Sequence, residues 1–238
     1  MAPWERAPAR PSLGAGEVHV FRLHLAPRSG RAVLSPDERA RADRFVFERD
    51  RVQFTETRAA LRRLLARLLG REPAAIGFTE GPYGKPRLEG PEGERLRFNV
   101  SHTGELALLA VALDRDVGVD VERHRAEPNV DELAAVVCEA PERAALLALR
   151  GSARRAAFYD LWAGKEAVLK ALGSGLSVSP RRLALPPAPW RARCVVRIAD
   201  LDGPGFELHP LDAGPGVSAA LACAGEGPAA LRLFELAP

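Results

Sequence analysis

Five side chains in the 238-residue chain have types and spacings suited to oxygen and phosphate chemistry: Asp120, Glu122, Lys165, Glu166 and Lys170. The first two lie in "GVDVE" (118–122), inside a run that reads as a strand. Strand side chains alternate faces, so Asp120 and Glu122 share one face, roughly 7 Å apart along it, and Val119 and Val121 take the other. Taken alone, that pattern is by default the solvated face of an antiparallel strand. The alternative is a pair of oxygen ligands for a hard cation.

The other three lie in "FYDLWAGKEAVLKALG" (158–173). At 100° per residue this stretch reads as a helix, with Phe158, Leu161, Trp162, Val168, Leu169 and Leu172 in one apolar stripe. Lys165 falls in the middle of that stripe, and a buried ammonium must either snorkel or meet a carboxylate. Glu166 and Lys170 lie four residues apart on its flank. They read either as an exposed helix pair worth about 0.3–0.5 kcal/mol, or as an acid and an ammonium at a cleft edge. The second arrangement suits phosphate chemistry, with the acid on Mg²⁺ and the lysine on phosphate oxygens. Lysine is scarce: of 34 Lys and Arg, only Lys85, Lys165 and Lys170 are lysine. An ammonium is a compact charge with a shiftable pKa, so these three positions draw attention.

The elements that must position these groups are legible in outline. "EVHVFRLHL" (17–25) reads as a strand. Residues 34–70 read as one helical stretch, with Ser35 as N-cap, Pro36 at the first helical position, Glu38 three after the cap and Gly70 as the stop. Leu61, Leu64, Leu65 and Leu68 form its apolar face, while Arg58, Arg62, Arg63 and Arg67 mostly lie elsewhere. That cationic face is either solvated or a surface for nucleic acid or lipid. A Gly/Pro-rich loop over 77–95 leads to a strand ending near Ser101. "LALLAVAL" (106–113) pairs back on it as a hairpin, and "VGVDVE" (117–122) extends the pair to a three-stranded meander. A second helical block spans Pro141–Leu172. Short strands alternate with Gly/Pro turns from Trp190 to Leu236.

The segments 36–70 and 141–173 resemble each other, each starting with proline plus acid and ending in a leucine-rich helix closed by glycine. Two similar α+β halves joined near 113–117 is the simplest architecture. The boundaries expected are a disordered Pro/Ala/Arg lead-in over 1–16, an N-terminal half over 17–114 and a C-terminal half over 115–238. Composition excludes little else. No apolar run approaches the ~20 residues of a membrane span, and the first residues lack the apolar core of a secretory signal. Cys138, Cys194 and Cys223 show neither metal-ligand spacing nor a disulfide framework, which fits a reducing cytoplasm. The net charge of +3, with a pI near 9.0, suggests an anionic partner.

"FNVSHTGELALLAVAL…VGVDVE" followed by "FYDLWAGKEAVLKALGSGL" resembles the 4′-phosphopantetheinyl transferases, in their monomeric, surfactin-synthetase-activating type. "YGKP" (83–86) and "SPDERARADRFVFERD" (35–50) resemble that family's upstream elements. The resemblance implies an α+β fold of two pseudo-twofold-related halves. Each half has a small, mainly antiparallel sheet packed by helices, and coenzyme A binds between them. It implies transfer of 4′-phosphopantetheine from coenzyme A to a serine of an apo acyl or peptidyl carrier protein, releasing adenosine 3′,5′-bisphosphate. By motif match the Mg²⁺ ligands (Mn²⁺ being an acceptable substitute) are Asp120, Glu122 and Glu166. Glu166 also matches the general base, and Lys170 the lysine on the phosphates. Arg41, Lys85, Ser101, His102 and Lys170 match coenzyme A contacts, although His102 also reads as a solvent-facing turn histidine and Arg41 as a surface charge. Lys165 is expected to orient the acids. Glu38 departs from a position often basic in the family, for which Arg58 or Arg44 is available as compensation. The resemblance points to a cytoplasmic monomer that binds neither nucleic acid nor membrane and serves polyketide or nonribosomal peptide carriers. A broad-range enzyme for fatty-acid or lysine-pathway carriers, or a non-catalytic module binding coenzyme A or a carrier, is the alternative.

Overall fold

The computed structural model describes residues 3–27, 29–125, 129–188, 190, 192–203, 205–225 and 227–236. In chain order the elements are β1 (Glu5–Arg6), β2 (Glu17–His24), α1 (Pro36–Asp43), α2 (Glu48–Leu69), β3 (Phe78–Glu80), β4 (Pro86–Leu88), the short α3 (Glu92–Arg95), β5 (Leu96–Thr103), β6 (Leu106–Leu113), β7 (Val117–Arg123), α4 (Val130–Val137), α5 (Ala140–Leu147), α6 (Gly151–Leu172), β8 (Cys194–Val196), β9 (Phe206–Leu211), β10 (Val217–Ala224) and β11 (Ala230–Glu235). The mixed α+β class is as the sequence predicts. Among the described residues, no helix is long and apolar enough to cross a membrane.

Two sheets carry the fold, ordered β1-β11-β2-β6-β5 and β7-β10-β9-β8. Val18, Val20, Leu108 and Ala110 of the first meet Val119, Val121, Leu221 and Cys223 of the second in a core between the sheets. α2 covers the outer face of the first sheet through Leu61, Leu64 and Leu65, packed with Phe21, Phe98 and Leu109. α6 covers the second through Phe158, Leu161, Val168 and Leu169, packed with Leu208, Ala220 and Ala222. The layers are therefore helix, sheet, sheet, helix, and each sheet buries one face on its partner and the other on a helix.

Local signals hold up well. Ser35 caps α1 in a full capping box: its hydroxyl accepts from the Glu38 N–H, and the Glu38 carboxylate accepts from the Ser35 N–H. Gly70 and Gly173 end α2 and α6 in the left-handed region, where a Cβ would be strained. β5 and β6 form the expected hairpin.

Four expectations change. The helical stretch 34–70 is two helices. After Asp43 the chain leaves the helix, Phe45 turns onto Phe54 at a ring separation of 5.5 Å, and an extended Phe47 starts α2. The block 141–172 likewise splits at Ala148–Arg150 into α5 and α6, with α4 ahead of them. β7 does not extend the β5–β6 hairpin as a meander; its ladder partner is β10, about a hundred residues later. Finally, the ends of the chain are tied to the first half. β11 pairs parallel with β2 and β1 with β11, so the last strand of the sequence belongs to the first sheet. The described part of the lead-in is held rather than loose: the Trp4 indole N–H donates to the Asp212 carbonyl, and Arg22 lies 4.5 Å over the Trp4 ring.

Where β5 and β7 run side by side they share no backbone ladder. Side chains take its place: Asn99 Oδ1, Ser101 Oγ and Thr103 Oγ1 accept from the backbone N–H groups of Val119, Val121 and Arg123 at 2.9, 3.3 and 3.2 Å. This seam, at alternate residues of both strands, joins the two sheets and sets the height of Asp120 and Glu122 against β5.

Candidate active site

The seam opens onto a cleft of about 390 Å³ lined by both halves. α2 supplies Phe54, Thr57, Arg58 and Leu61, with Arg41 from α1. β5 supplies Val100, Ser101 and His102, β7 supplies Asp120 and Glu122, and α6 supplies Trp162, Glu166 and Lys170. Strand alternation sends Val119 and Val121 into the core between the sheets and turns Asp120 and Glu122 towards α6, the helical spacing of which brings Trp162, Glu166 and Lys170 to one face.

Asp120 is 3% exposed, so it is no part of a solvated strand face. Its Oδ1 accepts from Lys170 Nζ at 2.5 Å and from Ser101 Oγ at 2.8 Å. Ser101 in turn accepts from Lys170 Nζ at 3.0 Å. Lys170 thus reaches across to β7 instead of forming the surface pair with Glu166. Glu122 Oε1 accepts from the Trp162 indole N–H at 3.1 Å. Burial, and next the neighbouring Asp120, hold the Glu122 carboxyl above the usual range. Burial, then Asp120 and Glu122 against the opposing pull of Lys170, does the same to Glu166.

Among the described residues, no three His, Cys, Asp or Glu side chains stand as a closed metal cluster. The donor set nevertheless suits a hard cation. Asp120 Oδ2 and Glu166 Oε1 are both buried without a hydrogen-bond partner. Two orphaned carboxylate oxygens on acids lining one cleft are what a cation bound by oxygen would satisfy.

A second cavity of about 550 Å³ adjoins the first and shares Arg41, Phe54, Arg58 and Pro86 with it. Arg41 lies 5.2 Å over the Phe54 ring, so its guanidinium is steered along the groove. Glu38 borders this second cavity with its charge already met, by Arg62 at 2.7 Å and Arg58 at 3.5 Å. Arg62, which the helix pattern would leave on a solvated face, is 2% exposed.

The structure brings Arg41, Ser101, His102, Asp120, Glu122, Glu166 and Lys170 together around one cleft. It does not bring Lys85 or Lys165 to the cleft. The Lys85 ammonium donates to two backbone carbonyls instead. Lys165 is fully buried and bonds Glu142 Oε2 at 2.6 Å, so it finds the carboxylate its position demands but does not orient the cleft acids. Trp162 is the lining residue that the apolar stripe concealed. Its spacing, four residues before Glu166, was the available signal.

Residues 29–114 match the family model "4′-phosphopantetheinyl transferase, N-terminal", and residues 116–222 match "4′-phosphopantetheinyl transferase superfamily". The chain is 37% identical over 180 residues to the 4′-phosphopantetheinyl transferase HetI of Nostoc sp., covering 73% of this chain and 76% of that one. It is 30% identical over 219 residues to a phosphopantetheinyl transferase of Thraustochytrium sp., covering 85% and 75%. A putative 4′-phosphopantetheinyl transferase of Synechocystis sp. matches at 40% identity over 146 residues, 61% of this chain and 59% of that one.

Proposed function

The chain belongs to the 4′-phosphopantetheinyl transferase family, and from that premise we propose that it transfers 4′-phosphopantetheine from coenzyme A to a serine of an apo carrier protein. The observation that carries this reading is the cleft between the halves, where Asp120, Glu122, Glu166 and Lys170 converge and two carboxylate oxygens are left unpartnered. Asp120, Glu122 and Glu166 would hold Mg²⁺. When bound, the ion offsets pyrophosphate charge and stabilises the charge that develops on the transferring group.

The chain's own side chains do the rest. Arg41 and His102 line the groove and hold the anionic donor, with Ser101 between Asp120 and Lys170. The carrier serine attacks the phosphorus that bears the pantetheine arm. The new bond is serine oxygen to phosphorus, and the bond broken runs from that phosphorus to the bridging oxygen. The bridging oxygen leaves with adenosine 3′,5′-bisphosphate. Glu166 takes the serine proton directly or through water. Lys170 stabilises charge on the leaving side.

We read the enzyme as a cytoplasmic monomer of the surfactin-synthetase-activating type, serving polyketide or nonribosomal peptide carriers. Its three free cysteines suit a reducing compartment, and its net charge of +3 suits an acidic carrier. Incubating the protein with coenzyme A, Mg²⁺ and a panel of apo carriers, followed by intact-mass measurement, tests the reading. One carrier or more should gain the mass of a single phosphopantetheinyl group. Unchanged mass on polyketide, nonribosomal peptide, fatty-acid and lysine-pathway carriers alike would overturn it.

A further inference from the structure

Lys85 follows the turn between β3 and β4, and it does not line the cleft that holds Asp120, Glu122 and Glu166. Nζ donates to the Val117 carbonyl at 3.1 Å and to the Ala171 carbonyl at 3.0 Å, with Asp116 Oδ1 4.0 Å away. Its stem lies over the left-handed Gly173, where an added Cβ would sit 3.1 Å from Lys85 Cδ. The Ala171 carbonyl is in the last turn of α6, where a helix supplies no partner of its own and a cation is favoured. Val117 opens β7 beside the seam where β5 side chains hold the next backbone groups. One ammonium therefore joins the start of β7 to the end of α6.

Those two elements carry the cleft acids. Asp120 lies three residues past Val117, and Lys170 immediately precedes Ala171. Between them the backbones touch: a Cβ on Gly118 would fall 2.1 Å from the Ala167 carbonyl oxygen and 2.3 Å from the Ala171 nitrogen. With no side chain as a cushion, any slide of α6 along β7 is felt directly by the 2.5 Å contact between Lys170 and Asp120.

We propose that Lys85 is a positioning residue, a strut across the two halves that fixes the register of α6 on β7 and so the placement of Lys170 and Glu166 against Asp120, and that it makes no direct contact with the donor's phosphates. This assignment rests on the function proposed above and departs from the role that the family resemblance implies for this lysine. Burial lowers the Lys85 pKa to about 8, the mark of an ammonium withdrawn from water.

The test compares wild type, Lys85→Met and Lys85→Gln on coenzyme A and on 3′-dephospho-coenzyme A, with kcat and KM measured separately. Misplaced groups slow the chemical step, so Lys85→Met should lower kcat about tenfold on both donors. The preference for coenzyme A over its dephospho form should hold to within about twofold, since one tenfold change is 1.4 kcal/mol and no phosphate contact is lost. Lys85→Gln, an uncharged donor, should recover part of kcat; it also serves as the decisive variant if Lys85→Met does not fold. A collapse of the preference between donors would identify Lys85 as a phosphate ligand and overturn the strut, as would an unchanged kcat in both variants. Hydrogen exchange without substrate tests it separately: the last turn of α6 and the start of β7 should exchange about tenfold faster in the variants, a local opening. Unchanged exchange would overturn the strut. A wild-type enzyme that modifies no carrier would sink the proposed function and leave the exchange result to decide the role of Lys85.

Discussion

The two halves of the molecule are built on one plan and diverge within a single helical turn. In each half, an eight-residue helix with a capping box precedes a 22-residue helix closed by a left-handed glycine. In each, the third residue of the short helix is a glutamate, and the cation it meets lies eight residues before that glycine: Glu38 with Arg62 at 2.7 Å, Glu142 with Lys165 at 2.6 Å. Each carboxylate oxygen that takes the cation also takes an N-cap N–H, and each cation donates onward to backbone carbonyls beyond its helix. The resemblance between 36–70 and 141–173 is thus a shared lock between short and long helix. Next to the lock, the long helices part. The first half has Arg63 and Arg67 where the second has Glu166 and Lys170. The lock holds the fold, and the neighbouring positions are free to carry chemistry.

Replacing Glu166 by Gln separates these roles most sharply. Loss of a general base costs about 10²–10⁴ in rate, so turnover should fall to near background in the intact-mass assay. Stability should not fall. Because burial raises the folded-state pKa of Glu166 above its ordinary 4.5, the folded protein holds the proton more tightly than the unfolded chain does. Ionisation therefore destabilises the fold above the raised pKa, and the penalty is absent below 4.5. In metal-free buffer the variant should melt above wild type near neutrality, and the two should converge at acidic pH. A variant less stable than wild type at neutral pH would contradict this reading.

Breaking the second lock should act on stability alone. Lys165→Met leaves Glu142 buried at 3% exposure without its cation, and orphaning one member of a buried pair costs about 3–5 kcal/mol. Denaturant midpoints measure this. Changing Glu142 to Leu as well should recover most of the loss, since a matched apolar pair removes both charges.

The first lock should break more gently. Glu38→Ala leaves Arg62 with the carbonyls of Pro73 and Ile76 at 2.9 and 2.7 Å, and Glu38 itself is 13% exposed. The expected loss is about 1–3 kcal/mol, the range for unpairing one buried polar group. A loss equal to that of Lys165→Met would mean that the two locks are energetically alike, and the contrast between a fully enclosed pair and one whose acid is partly open to solvent would fall.

How much of this the sequence showed follows from distance along the chain. Ser35, Glu38, Gly70 and the β5–β6 hairpin are set by neighbours a few residues away, and all are legible. The same face for Asp120 and Glu122 follows from strand alternation. What resisted reading depends on partners far off. β7 joins β10 instead of β6, β11 returns to β2, and the lead-in is pinned through Trp4 to Asp212. Lys165 announced that it needed an acid, but nothing local said that the acid was Glu142. Lys170 sits one turn from Glu166 and still bonds Asp120, because the seam brings β7 closer to it than helix spacing alone would suggest.

The smallest test concerns the position eleven residues before each closing glycine, where the first half has the buried Ala59 and the second has Trp162. Alanine there only packs. Tryptophan packs and also donates its indole N–H to Glu122 Oε1 at 3.1 Å. Trp162→Phe keeps most of the ring area and removes that donor. One hydrogen bond at the edge of an accessible cleft contributes about 1 kcal/mol, so the melting temperature should barely move. Glu122 would lose its fixed orientation. The expected result is about a fivefold loss of kcat, the rate equivalent of that 1 kcal/mol. KM for the carrier should be unchanged, because nothing on the carrier's side is altered. Undiminished kcat would show that Trp162 serves the second half only as Ala59 serves the first, by filling space.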